Sequence, residues 1–91
     1  MKVTGNIIAV MPPRSGVSSR TGNPWKTQQY VLETVEQYPK KIPFEVYGEE
    51  RITQFNITQN EQNITIEFDL EGSEYNGNWY VKVRCYNVIR K

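Results

Sequence analysis

The chain has 91 residues, with 11 Lys and Arg against 10 Asp and Glu, a single cysteine and no histidine. This length predicts one domain spanning residues 1–91. A net charge of +1 excludes polyanion binding by overall basicity, so any nucleic-acid site has to be local. The cysteine and histidine counts rule out a disulfide framework and the usual zinc sites within one chain, which predicts no metal, no cofactor and a reducing cytoplasmic location.

The N-terminal residues predict a strand followed by a long polar loop. Residues 3–11 alternate in side-chain character and are ended by Pro12-Pro13. Their apolar run is too short and too interrupted for a signal peptide or a membrane span. Residues 12–24 are Pro, Arg, Ser, Gly, Thr and Asn with a single Val17, and a loop of this size in a small domain is more often functional or mobile than a plain connector.

Residues 25–35 predict a second strand, because they are rich in Thr, Gln, Tyr and Val and contain neither Pro nor Gly. Two registers are open. One buries Trp25 and Val31, whereas the other buries Tyr30 and Leu32. We expect one of the two rings to face outward and the other to pack inward.

The middle of the chain predicts a third strand, a short helix and a fourth strand. Residues 42–47 alternate between apolar and other side chains and are ended by Gly48. Residues 49–55 begin with two acids and space Ile52 and Phe55 three apart, which favours one or two helical turns. Residues 64–71 show the clearest alternation in the sequence and form the fourth predicted strand.

The C-terminal part predicts a hairpin into a fifth strand. Asn76-Gly77 is a strong signal for a tight type I′ turn, so the fourth and fifth strands should be antiparallel neighbours. The predicted inner face of the fifth strand is Trp79, Val81, Val83 and Cys85, with Cys85 as a core residue. Its outer face is Tyr80, Lys82, Arg84 and Tyr86.

This order of elements predicts an all-β fold with minor α content. It is that of a five-stranded OB-type Greek-key barrel with a short helix between strands three and four, in which closure removes exposed edges.

Several segments then resemble a known family. These are residues 25–34, 43–45, 64–72 and 77–80. They resemble a family of small bacterial and phage proteins, a domain of unknown function likened to single-stranded-DNA-binding OB-fold proteins, and the resemblance spans nearly the whole chain. It implies the OB fold and single-stranded DNA as a partner. The chain departs from the family at Ser73, where an arginine is common, and at Tyr86, where a tryptophan is common.

Single-stranded nucleic acid is held by cations along the phosphates and by aromatic rings that stack on bases. The candidates of both kinds are Arg14, Arg20, Trp25, Lys26, Tyr75, Tyr80, Lys82, Arg84 and Tyr86, with Asn76 beside them in the hairpin. The alternatives are structural. The strand-five row could be an ordinary outer strand face, Trp25 could plug the end of the barrel, and the two loop arginines could simply be solvated.

The remaining chemistry favours a binding protein over an enzyme. Glu67, Asp69 and Glu71 form an acidic row that we expect to be a solvated strand face, and any nucleic-acid groove should avoid it. Without a histidine or another activating neighbour, Cys85 is not expected to be a nucleophile. We therefore expect a non-enzymatic module that binds single-stranded DNA with little sequence preference. The alternative is a protein-interaction or assembly module, with a protein partner or a second copy bound and no membrane.

Overall fold

The computed structural model describes residues 1–90. Its six strands are β1 (Lys2–Val10), β2 (Arg14–Val17), β3 (Pro24–Thr34), β4 (Lys41–Tyr47), β5 (Ile64–Tyr75) and β6 (Asn78–Arg90). One helix, α1 (Glu49–Phe55), lies between β4 and β5. The predicted helix and five predicted strands are all present, and the mostly β fold class is confirmed.

One element inside the predicted polar loop was missed. β2 lies within residues 12–24 and pairs with the beginning of β3, so that Arg14 is opposite Thr27 and Gly16 is opposite Trp25. The strand count is therefore six, and the helix lies between strands four and five rather than three and four. The polar sequence of β2 hides it, because a strand that packs on no core needs no apolar alternation.

The strand pairings close on themselves. β1 pairs with both β3 and β5, β5 pairs with β6, and β4 pairs with β3, all antiparallel. A single parallel bridge between Glu45 and Arg84 joins β4 to β6 and completes the cycle. Closure agrees with the predicted OB-type fold, although β2 and the outer parts of β5 and β6 each pair on one side only.

The core fills the inside of this closed sheet. Its buried members are Ile7, Tyr30, Leu32, Phe44, Val46, Phe55, Ile57, Ile64, Ile66 and Cys85. The rings of Tyr30 and Phe44 stack with centroids 5.4 Å apart, and the Tyr30 hydroxyl donates a hydrogen bond to Gln28 Oε1 at 2.8 Å. The register of β3 is therefore the one that buries Tyr30 and Leu32, and Trp25 faces outward with 43% of its surface exposed.

The β5–β6 hairpin extends well beyond the core. It turns at Asn76 and Gly77, whose φ angles of 51° and 78° fit the predicted tight turn. Every residue from 69 to 82 is exposed, and we call this segment the arm. The predicted core position of Trp79 and Val81 is wrong: they are 72% and 68% exposed, whereas Val83 is half-buried and Cys85 is buried. Alternation assigns residues to one face of a strand, but on the arm nothing covers that face.

Within residues 1–90, no helix has the length and apolarity needed to cross a membrane.

Candidate nucleic-acid interface

The strands that bury the core also direct a second set of side chains outward. On β3, Tyr30 points inward, so Trp25 and Thr27 point outward by the period of two. On β4, Phe44 is buried and Tyr47 lies on the opposite face, directly beside Thr27. The outer surfaces of β2, β3, β4 and β6 therefore form one continuous face of the closed sheet.

Three clefts lie along this face and meet at Tyr47. The largest has a volume of about 690 Å³ and contains Trp25 and Tyr47 in its wall. A second, of about 270 Å³, is lined by Arg14, Trp25, Thr27, Glu45, Tyr47 and Lys82. A third, of about 240 Å³, is lined by Tyr47, Arg51, Asp69, Arg84, Cys85 and Tyr86. We call the surface formed by Arg14, Trp25, Thr27, Tyr47, Arg51, Lys82, Arg84 and Tyr86 the outer groove.

A glycine positions the Trp25 ring. Gly16 lies directly opposite Trp25 across the β2–β3 pair. A Cβ atom at Gly16 would lie 2.8 Å from the six-membered part of the indole ring, so any larger residue would push the ring away. The ring consequently lies across the β2 backbone and keeps part of its surface open to the groove.

Arg84 lies at the centre of the groove between a ring and an acid. Its guanidinium carbon is 4.1 Å from the centroid of the Tyr47 ring, which is cation–π geometry. Its Nη1 donates to Glu71 Oε2 at 2.6 Å. Partial burial lowers the pKa of Arg84, but the contacts with Tyr47 and Glu71 outweigh that effect and raise it, so the guanidinium stays charged.

The acids of β5 lie beside the cations of β6. Asp69 is directly opposite Arg84, and Glu71 is directly opposite Lys82, so each pair shares one face of the β5–β6 ribbon. The candidate groove therefore borders the acidic row, and the expectation that a nucleic-acid groove avoids that row stays a prediction. Together with Glu45, these acids offset much of the positive charge of the groove.

The structure brings five of the nine candidate residues together. Arg14, Trp25, Lys82, Arg84 and Tyr86 line the two smaller clefts of the outer groove. Tyr86 lies at the irregularity where the β5–β6 register shifts, between the pairs Phe68–Cys85 and Glu67–Asn87.

The other four candidates lie farther along or outside the groove. Tyr80 is opposite Ser73 and Tyr75 is opposite Asn78, so both continue the outer face of the ribbon along the arm. Lys26 lines the largest cleft with its Nζ 3.9 Å from Glu49 Oε1. Arg20 is exposed in the turn between β2 and β3 and lines none of the three clefts.

Sequence reasoning missed Tyr47, the residue common to all three clefts, together with Thr27 and Arg51. The signal for Tyr47 was present, because alternation along residues 42–47 already placed it on the outer side of its strand. Arg51 gave no such signal, since its place beside β6 depends on how α1 docks.

The titratable groups of the core are kept neutral. Burial raises the pKa of the Cys85 thiol to about 11, and the thiol donates a hydrogen bond to the Asn87 carbonyl at 3.3 Å. Burial and the nearby Cys85 also raise the pKa of the Tyr30 hydroxyl. Residues 1–90 contain no group of three or more His, Cys, Asp or Glu placed to hold a metal ion.

The closed sheet, with α1 between β4 and β5 and a long β5–β6 hairpin, is an OB fold of the kind found in single-stranded-DNA-binding proteins. The model of a domain of unknown function, DUF3127, matches residues 2–89, and the chain belongs to that family. The resemblance found in the sequence is thereby confirmed. No curated protein sequence matches this chain significantly.

Two solved structures show the same fold at low sequence identity. One is the mitochondrial single-stranded DNA binding protein Rim1 from S. cerevisiae, with a TM-score of 0.71 and 12% identity, covering 98% of this chain and 90% of that one. The other is the SSB domain of a protein from Synechococcus sp., with a TM-score of 0.63 and 9% identity, covering 99% of this chain and 92% of that one.

Proposed function

We propose that this protein is a non-enzymatic OB-fold module that binds single-stranded DNA through the outer groove with little sequence preference. One observation carries the proposal: the rings of Trp25 and Tyr47 and the cations Arg14 and Lys82 line a single cleft. The fold shared with two proteins described as binding single-stranded DNA supports it.

The groove offers both kinds of contact that a single strand needs. Bases stack on the rings of Trp25 and Tyr86 and on the face of Tyr47 that Arg84 does not cover, at about 1–3 kcal/mol per base. Phosphates contact Arg14, Lys82 and, once freed, Arg84. Stacking tolerates every base because each has a π face, which explains the weak sequence preference. The nearby acids reduce the contribution of the phosphate contacts to the binding free energy, so we expect moderate affinity for single-stranded DNA at physiological salt.

Titration with oligo-dT at low and high salt tests the proposal. We expect quenching of tryptophan emission and an affinity that falls steeply with salt as counterions are released. The absence of both quenching and a gel shift at tens of micromolar oligonucleotide would overturn the proposal.

A pair of double variants locates the site. Lys82→Ala with Arg84→Ala removes two groove cations, and we expect the log–log salt slope to become shallower by about 0.7 to 1.4, from about 0.7 per phosphate contact. Lys40→Ala with Lys41→Ala removes the same charge from the exposed beginning of β4 and the residue before it, and serves as the control. Equal binding by the two folded double variants would move the site away from β6.

A second candidate function, assembly with a second copy of this chain, is favoured by the arm. The arm face opposite the groove carries Leu70, Gly72, Trp79 and Val81, with Glu74 as its charged residue. A two-stranded ribbon is marginally stable by itself and gains from being covered. Because the only charged side chain named on this face is the acid Glu74, the face is not suited to binding DNA. Gly72 has no side chain, and a Cβ placed there would have the Tyr80 carbonyl oxygen as its nearest neighbour at 4.0 Å. The surface above Gly72 therefore has space for a Trp79 ring from the second copy.

Sedimentation equilibrium tests this second candidate. We expect concentration-dependent dimerisation that Trp79→Ser abolishes and that Tyr75→Ser, on the groove side of the arm, leaves unchanged. A protein that stays monomeric at hundreds of micromolar would rule out the second copy as the occupant of this face.

A further inference from the structure

The central cation of the outer groove is already paired within the protein. Arg84 Nη1 is 2.6 Å from Glu71 Oε2, and the guanidinium carbon lies 4.1 Å from the centroid of the Tyr47 ring. Glu71 therefore occupies a direction in which Arg84 would otherwise donate to a phosphate oxygen. The same carboxylate places a negative charge beside any strand that enters the groove.

The turn of the hairpin dictates this arrangement. Because the loop is the two residues Asn76 and Gly77, Glu71 lies opposite Lys82 and Asp69 lies opposite Arg84. Glu71 and Arg84 are thus diagonal neighbours on one face of the ribbon, within reach of long side chains. Glu71 bonds across this diagonal to Arg84, so the carboxylate engages the cation that is also held against Tyr47.

The ion pair is open to exchange. The Arg84 and Glu71 side chains are 41% and 51% exposed, so water and an incoming phosphate both reach them. Exposed ion pairs of this kind are weak. A DNA phosphate can therefore replace Glu71 on the guanidinium while the Tyr47 ring continues to orient it.

We propose that Glu71 is an intramolecular competitor of DNA phosphate for Arg84 and so sets the affinity of the groove. The proposal rests on the proposed function, since it concerns the same groove. DNA binding then exchanges one anion for another at Arg84, and the released Glu71 carboxylate recruits a cation from solution. That uptake offsets part of the counterion release that drives binding, so the groove binds DNA more weakly and with a shallower salt dependence than its cations alone would allow.

The test compares Glu71→Gln with Glu74→Gln by titration with oligo-dT at several salt concentrations. Both changes remove one negative charge from β5, but Glu74 is opposite Trp79 on the other face of the arm. We expect Glu71→Gln to bind about two- to fivefold more tightly than wild type, the range for loss of an exposed ion pair. Its log–log salt slope should steepen by up to about 0.7. Glu74→Gln should stay close to wild type, and circular dichroism should show both variants folded.

Each outcome separates this inference from the proposed function. Tighter binding by Glu71→Gln than by Glu74→Gln supports competition, including the case in which wild type binds too weakly to detect. Equal binding by the two variants, alongside wild-type binding, overturns the competitor role and leaves the proposed function standing. Weaker binding by Glu71→Gln shows that Glu71 positions Arg84 and also overturns it. If neither wild type nor either variant binds oligo-dT, the proposed function fails and the inference fails with it.

Discussion

Removing Arg90 should loosen the junction between the end of β6 and the segment after α1. The Arg90 side chain donates to both carboxylate oxygens of Glu61, with Nε 2.5 Å from Oε2, and to the carbonyls of Phe55 and Asn56. Glu61 also fixes this segment to β1, because its carbonyl accepts a hydrogen bond from the Ile7 amide at 2.7 Å. Arg90 therefore joins three parts of the chain that are distant in sequence.

The expected cost of Arg90→Ala is about 2–4 kcal/mol in the free energy of unfolding. A hydrogen bond to a charged group contributes about 1.5–3 kcal/mol and one to a neutral carbonyl about 1 kcal/mol. The Glu61 side chain is only 17% exposed, whereas Arg90 is 41% exposed, so solvent screening reduces the total below the simple sum. Arg90→Lys keeps the charge but loses the planar fork, and should recover only part of the loss.

The effect should also depend on pH. The hydrogen bonds from Arg90 lower the pKa of Glu61 in the folded state, although partial burial opposes them. A lowered folded-state pKa contributes stability that is present above the unfolded value and lost as the pH falls through the folded value. Urea unfolding of wild type and Arg90→Ala at pH 7 and pH 3 should therefore show a difference that shrinks in acid. A difference below about 0.5 kcal/mol at pH 7, the scale of ordinary surface substitutions, would refute this reasoning.

Two further changes test the core and the strand pairing. The pKa of Cys85 is raised from 9.0 to about 11 in the folded state. The contribution of this thiol to the free energy of unfolding should therefore be full below pH 9 and fall by up to about 3 kcal/mol as the pH rises through 11. Urea unfolding of Cys85→Ala should show a flatter dependence on alkaline pH than wild type, and the same dependence as wild type would contradict this prediction. Gly5→Ala places a Cβ 2.3 Å from the Glu33 carbonyl oxygen. Thermal unfolding should therefore show destabilisation by about 1–3 kcal/mol or more, as for overpacking. Wild-type stability of this variant would mean that β1 and β3 can separate without cost.

The predictable parts of the fold are those with local causes. Asn76-Gly77 specifies its own turn because both residues tolerate positive φ, and α1 follows Gly48 with two acids in its first turn. The position of Trp79 had no local cause. Its alternation with Val81 is that of a buried face, but burial depends on whether another element covers the strand, and the arm has passed the end of the closed sheet.

The sequence predicted which cations and rings line the candidate site better than it predicted the acids that pair with those cations. The outward row of β6 followed from alternation. The choice between Trp25 and Tyr30 as the buried ring could not be made from the sequence of β3 alone, because either register buries apolar side chains and the neighbouring strands decide between them. The pairing of Glu71 with Arg84 could have been found by counting back from the turn, which places acids and cations in the same rows. The irregularity at Tyr86 could not, because a bulge depends on tertiary strain.

The most direct test of single-stranded DNA binding in the outer groove uses the two tryptophans as separate reporters. Trp79→Phe leaves Trp25 in the groove as the only tryptophan, and Trp25→Phe leaves Trp79 on the opposite face of the arm. We expect oligo-dT to quench Trp25 in the first variant at near wild-type affinity. The second variant should bind more weakly and show little change in Trp79 emission. Quenching of Trp79 with an unchanged Trp25 would contradict the assignment of the groove.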